Sequence, residues 1–256
     1  MKTILYATDY SKNSITALKY SHVMSSKMNA KLLVVHVFDY PTMLDDLSLK
    51  RKNDFTDIEG DAFKKHHSKL NSFCNDNLNK DLNNLNIEIE AIENKSIAKG
   101  IISKANEVDA FLIITGNKGG SALREIIMGN TTKHLFEKSL CPVLTIPSDT
   151  SHTQIETIVY ATDFEEEDFG AIDKLTEIAK PFNALIKIVH ISSLKEKVEK
   201  WRIKDIKEKI HKYVEYTNFE FDILYSNDVF NGLRIYLGNS NTDLVAMLER
   251  ESKSMA

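Results

Sequence analysis

Residues 111–147 read FLIITGNKGGSALREIIMGNTTKHLFEKSLCPVLTIP and hold four of the chain's nine glycines. The stretch opens with a short apolar run, residues 111–115, whose length and β-branched content favour a buried strand. Glycines follow, and Gly129 precedes the Asn-Thr-Thr of residues 130–132. Glycine lets a ligand approach the backbone, and a helix N-terminus offers unpaired N–H groups, so the pattern is typical of a phosphate-binding turn. The alternative is that the glycines only turn the chain and residues 130–132 only cap a helix.

The residues before this stretch alternate between strand-like and helix-like patterns. Strands are predicted at 3–8 (TILYAT), 30–38 (AKLLVVHVF) and 85–92 (LNIEIEAI), and helices from residue 11, within 49–84 and at about 97–106. Such alternation predicts right-handed crossovers and a mostly parallel sheet. Ligands of these sheets bind beyond the carboxyl ends of the strands, where Asp9 and Gly116 both lie.

The second half of the chain repeats the first at an offset of 154 residues. Residues 157–163 read TIVYATD against TILYATD at 3–9, with six identities in seven positions. The next predicted strand keeps the offset, because IVHI at 188–191 matches VVHV at 34–37. Two copies of one α/β unit are therefore predicted.

The second copy is shorter than the first. Residues 148–154 (SDTSHTQ) have the composition of a linker, which predicts domains at 1–147 and 155–256. The offset falls to 132 farther on, and no glycine follows the TDLVAML of residues 242–248. We therefore expect the second copy to lack the last helix and strand. Its fourth strand would be an edge that the first domain, a second chain or further sequence covers.

Composition argues against several classes of protein. The chain has 256 residues, of which 42% are hydrophobic and 27% charged, and its net charge is -4. We predict no nucleic-acid partner, since a basic face would be expected for one. The longest apolar runs are far below about 18 residues, and the N-terminus lacks a signal-peptide core, so we predict no membrane partner and a cytoplasmic location. Cys74 and Cys141 have no CxxC spacing and are predicted to be reduced.

Neither the positions of the histidines nor any sequence motif predicts a catalytic or metal site. His66 and His67 are adjacent on a predicted helix and so face different sides, which favours solvation over shared metal ligation. His36 and His190 recur at equivalent strand positions, which favours a packed structural role. The sequence has no G-x-S-x-G, HExxH or G-x-x-x-x-G-K-[ST] motif. No catalytic residue and no metal ligand is predicted.

Taken together, the strand ending in ATD, the HV strand, and GNKG followed nine residues later by GN resemble the universal stress protein family. Nucleotide-binding members of that family carry G-x-x-G, nine residues, then G-[ST], and Gly116, Gly119 and Gly129 match this spacing. The similarity is strong in residues 1–147 and weak in 155–248. It implies an α/β fold of two tandem doubly wound parallel-sheet domains, of the adenine nucleotide alpha hydrolase-like, Rossmann-like type.

The resemblance also implies a site for ATP, or for ADP or AMP, in the first copy. Asp9 would bind the ribose or the adenine, and Val37 would lie against the base. Thr115, Gly116 and Gly119 would run along the ribose and the α-phosphate. Asp9 has a structural alternative as a turn or N-cap residue, because the ATD sequence recurs in the copy that lacks the glycine motif.

The same resemblance places the other phosphates, with or without Mg²⁺, on the second half of the motif. Lys118 would supply a cation, and Gly129, Asn130, Thr131 and Thr132 would hold the β- and γ-phosphates. Asn130 departs from the family pattern, which has Ser or Thr there, although an amide can also donate to a phosphate.

Two function classes follow. The first is a non-enzymatic stress-response regulator that binds an adenine nucleotide and forms a homodimer or an intrachain pseudo-dimer. At most weak ATP hydrolysis is expected, because the sequence shows no positioned base or arginine to assist an attacking water. The second is a dimeric scaffold of the same fold that binds no nucleotide.

Overall fold

The computed structural model describes residues 1–39, 55–78, 86–117, 129–192 and 200–249. The chain divides into two compact units, Met1–Thr153 and Gln154–Ala256. None of the helices in the described ranges combines the length and the apolar character needed to cross a membrane.

The first unit is built on five parallel strands in the order β3-β2-β1-β4-β5. They are β1 (Thr3–Ala7), β2 (Lys31–Phe38), β3 (Ile87–Glu93), β4 (Leu112–Asn117) and β5 (Val143–Pro147). The central strands are apolar along their length, as expected for a parallel sheet that is covered on both faces.

Four helices of the first unit lie within the described ranges. They are α1 (Lys12–Lys27), α2 (Phe55–Leu78), α3 (Ile97–Glu107) and α4 (Asn130–Lys138). Successive strand residues face opposite sides, so Leu5 lies in an apolar cluster with α3 and α4, whereas the Tyr6 hydroxyl donates to the Ser14 carbonyl in α1 over 2.6 Å. The sheet is therefore wound on both faces, as predicted.

The second unit repeats the first four strands. Its strands are β6 (Thr157–Ala161), β7 (Leu185–Ser192), β8 (Phe219–Tyr225) and β9 (Leu244–Met247), all parallel and in the order β8-β7-β6-β9. Its helices are α5 (Glu167–Ala179), which continues into a 3-10 turn at Lys180–Phe182, α6 (Lys200–Tyr213) and α7 (Val229–Asn239). Up to residue 249, this unit has no counterpart of α4 or β5, which agrees with the predicted shortening.

The length difference between the two units lies on both sides of one helix. Tyr10 contacts His66, Lys69 and Phe73 of α2, and its counterpart Phe164 lies with Ile206, Lys209 and Tyr213 of α6 around one cavity. The offset at this helix is therefore 140, between the 154 before it and the 132 after it. The first unit has extra residues both before and after the helix.

Candidate functional site

Three neighbouring strands of the first unit end at one edge of the sheet. Ala7 at the end of β1 pairs with Val35 in β2 and with Thr115 in β4. Continuing this register by two residues puts Asp9 level with Val37. The fold therefore brings Asp9, Val37 and Thr115 to the carboxyl edge, where ligands of such sheets bind.

The corner between β1 and α1 holds the Asp9 carboxylate at the surface. Tyr10 has φ 63°, a left-handed conformation that turns the chain sharply. The Asp9 Oδ1 atom accepts the Ser11 N–H over 2.9 Å and the Ser14 hydroxyl. Burial alone would raise the pKa of Asp9, but these hydrogen bonds hold it below its ordinary value. Asp9 is thus the predicted turn residue and also an ionised, exposed acceptor.

Gly116 and Val37 are both shaped by packing. A Cβ added to Gly116 would lie 3.2 Å from the Asn13 carbonyl oxygen and 3.3 Å from the Ser14 Cα, so glycine lets β4 pass close to the start of α1. The Val37 side chain is buried beneath α3, and its Cγ1 lies 2.8 Å from a Cβ built on Gly100. The Val37 side chain is therefore part of the core. Only its main-chain atoms could contact a ligand.

The start of α4 is a helix N-terminus with exposed residues in the described part of the chain. Gly129 is the N-cap with φ -64°, and among the described residues no side-chain cap bonds to the first turn. The Lys133 N–H makes the first helical bond, to the Gly129 carbonyl over 3.0 Å. Gly129 and Asn130 are exposed, Thr131 is half-buried and Thr132 is buried. The N–H groups of the first turn and the positive end of the helix dipole therefore face outward, which suits an anion.

Two predicted site residues, Lys118 and Gly119, lie outside the described residues. The remaining predicted residues fall into two groups, the strand ends and the start of α4. In a parallel α/β unit the helix that follows a strand starts at the carboxyl edge of the sheet, so both groups belong to the same edge.

A column of aromatic and imidazole rings stands beside this edge, and the sequence did not predict it. The Tyr10 ring centroid is 4.1 Å from that of His36, and His36 is 5.0 Å from His66. The His66 ring in turn stacks on Phe38 at 4.3 Å, and the Tyr10 hydroxyl donates to the His66 carbonyl over 3.2 Å. The prediction that His66 is solvated is wrong, because this ring anchors α2 to the strand edge.

The two stacked histidines are held neutral. Burial, followed by the nearby His36, Lys69 and Lys65, lowers the pKa of His66 to about 4. The His66 Nδ1 is buried with no hydrogen-bond partner in the described part of the chain. Burial also lowers the pKa of His36, whose Nδ1–H donates to the Thr8 carbonyl over 2.8 Å. Within the described ranges, no three His, Cys, Asp or Glu side chains converge on a possible metal position.

The histidines that recur in both units have a structural role, as predicted. The His190 Nδ1 lies 2.8 Å from the Thr162 carbonyl, and the Phe164 ring stacks on His190 at 4.5 Å. Phe164 has φ 60°, like its equivalent Tyr10. The same turn and the same imidazole contact therefore form in both units.

The equivalent corner of the second unit carries a buried carboxylate. Asp168 stands where the first unit has Ser14, and it is 3% exposed. Its carboxylate accepts the Tyr160 hydroxyl over 2.7 Å, the Thr162 hydroxyl over 2.6 Å and the Glu165 N–H over 3.0 Å. Internal donors therefore fill the acceptor positions of Asp168, while Asp163, the counterpart of Asp9, is exposed at the same corner.

Comparison with known proteins shows which family the chain resembles. The model of the universal stress protein family matches residues 1–147. Universal stress protein MJ0577 of Methanocaldococcus jannaschii is 25% identical over 158 residues, which cover 57% of this chain and 94% of that protein.

Two solved structures are similar over both units. A universal stress protein from Archaeoglobus fulgidus has a TM-score of 0.64 at 16% identity and covers 96% of this chain and 86% of its own. A putative universal stress protein from Pseudomonas aeruginosa has a TM-score of 0.61 at 14% identity, with coverages of 96% and 82%. At these identities the likeness shows the fold alone, but the family match spans more than half of the chain. The chain belongs to the universal stress protein family.

Proposed function

We propose that the first unit binds an adenine nucleotide, ATP or else ADP or AMP, and that the protein is a stress-response regulator rather than an enzyme. One observation carries the proposal. The carboxyl edge of the first sheet combines an ionised, exposed Asp9 with an N-terminus of α4 that no described side chain caps. An acceptor and a set of anion-binding donors at one edge match the two ends of a nucleotide.

The acceptor end suits a nucleoside. Asp9 is fixed by Ser11 and Ser14, so its carboxylate is positioned before a ligand arrives. Such a carboxylate accepts hydrogen bonds from ribose hydroxyls or from an exocyclic amino group. Val37 offers its main chain at the same level of the sheet.

The donor end suits phosphates. The N–H groups of Asn130, Thr131 and Thr132 belong to a first turn that no side chain in the described ranges caps. The Asn130 amide and the Thr131 hydroxyl add donors there, so the change from Ser or Thr to Asn keeps a phosphate partner. Mg²⁺, if it accompanies the nucleotide, would neutralise phosphate charge.

The electrostatics of the site favour binding over hydrolysis. A general base works best when its pKa lies near the working pH. The hydrogen bonds from Ser14 and Ser11 hold the pKa of Asp9 below its ordinary value, despite the opposing effect of burial. Asp9 is therefore a poor base at neutral pH and a good hydrogen-bond acceptor. The protein would signal through a change of shape or of partner.

The first test is to purify the protein without added nucleotide, denature it and identify released small molecules by chromatography and mass spectrometry. We expect near-stoichiometric ATP, ADP or AMP. Among the described residues, a Cβ on Gly129 or on Gly170 would meet no atom within 4 Å, so either glycine should accept a larger side chain without unfolding the protein. The bulk of Gly129→Val at the start of α4 should abolish nucleotide recovery, and Gly170→Val in the second unit is the matched control.

A second test gives the first unit the helix residue that the second unit has at the same position. Ser14→Asp would place a second carboxylate beside Asp9 and repel an anionic ligand, whereas Ser14→Ala removes one hydrogen bond. We expect the Asp variant to lose Mg-ATP binding in a thermal-shift titration and the Ala variant to keep most of it. An empty wild-type protein with no thermal shift in Mg-ATP would refute the proposal and favour the scaffold that binds no nucleotide.

A further inference from the structure

A cavity of about 640 Å³ lies in the second unit, between the corner that joins β6 to α5 and the helix α6. We call it the corner cavity. Its apolar walls are formed by Phe164 and Phe169 on the side of the corner and by Ile206 and Tyr213 on the side of α6. Small-molecule sites usually have volumes of roughly 300–1,000 Å³. The described residues of the second unit therefore border a space of ligand size.

The first unit fills the equivalent corner with its own side chains. The Tyr10 hydroxyl donates to the His66 carbonyl over 3.2 Å, and the Phe73 ring lies edge-on to the Tyr10 ring at 5.7 Å. The Lys69 Nζ atom lies 4.3 Å from the centroid of the Tyr10 ring. An ammonium group over an aromatic ring is attracted by the negative face of the ring. The first unit therefore supplies, from its own chain, a cation for this ring.

In the second unit the equivalent lysine is engaged by a carboxylate. Phe164 stands at the position of Tyr10, 154 residues farther along the chain, and it lacks the hydroxyl. Lys209 stands at the position of Lys69, 140 residues farther along. Its Nζ atom lies 2.8 Å from the Asp205 Oδ2 atom. Because the lysine binds a carboxylate of its own helix, the side of Phe164 that borders the cavity is open to a cation from outside the chain.

The charge of the corner also differs between the two units. Three positions that carry lysine in the first unit carry two carboxylates and one lysine in the second, and they are Lys12, Lys65 and Lys69 against Glu166, Asp205 and Lys209. All three charged groups of the second unit border the corner cavity, and together they sum to one negative charge. The hydrogen bond to Asp205 raises the pKa of Lys209, and the charges of Asp205 and Glu166 act in the same direction. The corner cavity therefore favours a positive charge.

We propose that the corner cavity binds a small organic cation, an amine whose apolar body packs against Phe164 and Phe169 and whose ammonium group lies beside Glu166. The rings and Ile206 suit the apolar body, because ligand sites are lined mainly by apolar side chains with a few polar groups. A ring face and a carboxylate bind an ammonium group together, by a cation–π contact and a charge-assisted hydrogen bond. The proposal concerns the second unit alone and does not depend on nucleotide binding by the first.

The test is an NMR titration of the full chain with three probes of matched shape, phenylbutylamine, phenylbutanol and phenylbutyrate, each with its polar group at the end of the chain remote from the ring. We expect saturable binding of the amine with a dissociation constant of about 1 mM or lower. The alcohol should bind about tenfold more weakly, because it makes neither the cation–π contact nor the ion pair. The anionic probe should bind more weakly still, because Glu166 repels it.

Two variants with the same change of charge locate the ammonium group. Glu166→Gln removes a carboxylate that borders the cavity, and it should weaken binding of the amine about fourfold while leaving the alcohol unchanged. Glu167→Gln makes the same change at a neighbouring exposed position that is not among the described residues lining the cavity. It should leave the amine affinity within about a third of the wild-type value. Circular dichroism confirms that both variants fold.

Phe169→Ile tests the ring wall. Ile15 stands at this position in the first unit, so the fold accepts an aliphatic side chain there. Loss of the ring should lower the preference for the amine over the alcohol about threefold. An amine that shows no saturation up to about 10 mM, or an alcohol or carboxylate probe that binds as tightly as the amine, would overturn the proposal. Equal effects of Glu166→Gln and Glu167→Gln on the amine would also overturn it.

Discussion

The corners after β1 and after β6 share the sequence Ala-Thr-Asp, yet they place their fixed carboxylates differently. In the first unit the loop residue Asp9 is held at the surface by Ser11 and Ser14. In the second unit Asp168, on the helix, is buried and accepts from three internal donors, among them Tyr160. The Ser on the helix of the first unit and the Asp at the same position of the second thus determine which carboxylate the corner holds by hydrogen bonds.

This difference teaches that a repeated motif does not imply a repeated site. Donors within the fold compete with a ligand for the same carboxylate, and a buried carboxylate keeps its internal partners because leaving them unpaired is costly. Asp163, the counterpart of Asp9, is exposed as well, so the two corners differ in the helix residue: Ser14 donates to Asp9, whereas Asp168 accepts from internal donors.

The largest expected effect is the loss of the buried carboxylate. Asp168→Ala should lower the free energy of unfolding of the second unit by about 3 kcal/mol, because three donors lose a charged acceptor in a buried space. Asp9→Ala should cost the first unit about 1 kcal/mol, because its carboxylate is exposed. Hydrogen exchange of β6 and β1 peptides, measured by mass spectrometry, separates the two units. Equal effects would show that the corners do not differ in the way described.

A smaller effect is expected from the ring column of the first unit. The pKa of His66 is about 4 in the folded unit and about 6.5 in an unfolded chain, so the unfolded state binds the proton more readily. The stability of the first unit should therefore fall as the pH drops from about 6.5 toward 4, and should change little below that. The loss should be about 1 kcal/mol, because the ring is partly exposed to screening solvent.

The second unit supplies the control for this pH dependence. It has Ile206 at the position of His66, so the exchange of its β6 and β7 peptides should depend less on pH over the same range. His66→Phe keeps a ring in the stack and removes the titrating group. Its first unit should lose most of the slope, and an unchanged slope in this variant would contradict the assignment to His66.

The smallest effect concerns a side-chain contact that is an ion pair in the first unit and a tyrosine–carboxylate hydrogen bond in the second. Lys104 binds Glu90 over 2.8 Å in the first unit, whereas the Tyr236 hydroxyl donates to Asp222 over 2.5 Å at the equivalent place in the second. Glu90→Gln should cost about 0.5 kcal/mol in low salt and less in high salt, because the ion pair is partly exposed. Burial and then Asp222 raise the pKa of Tyr236, which keeps the hydroxyl neutral. Asp222→Asn should therefore show no comparable salt dependence when unfolding is followed in both salts.

Periodicity and repetition predicted much of the fold. The helix expected at about 97–106 is observed at Ile97–Glu107, and the strand expected at 85–92 at Ile87–Glu93. The helix expected within 49–84 is observed at Phe55–Leu78. These predictions are confirmed because the spacing of hydrophobic residues indicates which face of an element is buried. That spacing does not indicate which distant side chain contacts the face, so the sequence did not predict the contact of His66 with His36.

The sequence by itself determined the two α/β copies, their parallel strands, the absence of a last helix and strand from the described residues of the second copy, and the glycine motif that indicates the family. Only the tertiary structure decided which carboxylate is held at the surface, that the Val37 side chain belongs to the core, and that Phe230 and Met247 are exposed. The physical reason is that burial and hydrogen bonding depend on elements that are far apart in the chain and meet only in the folded state.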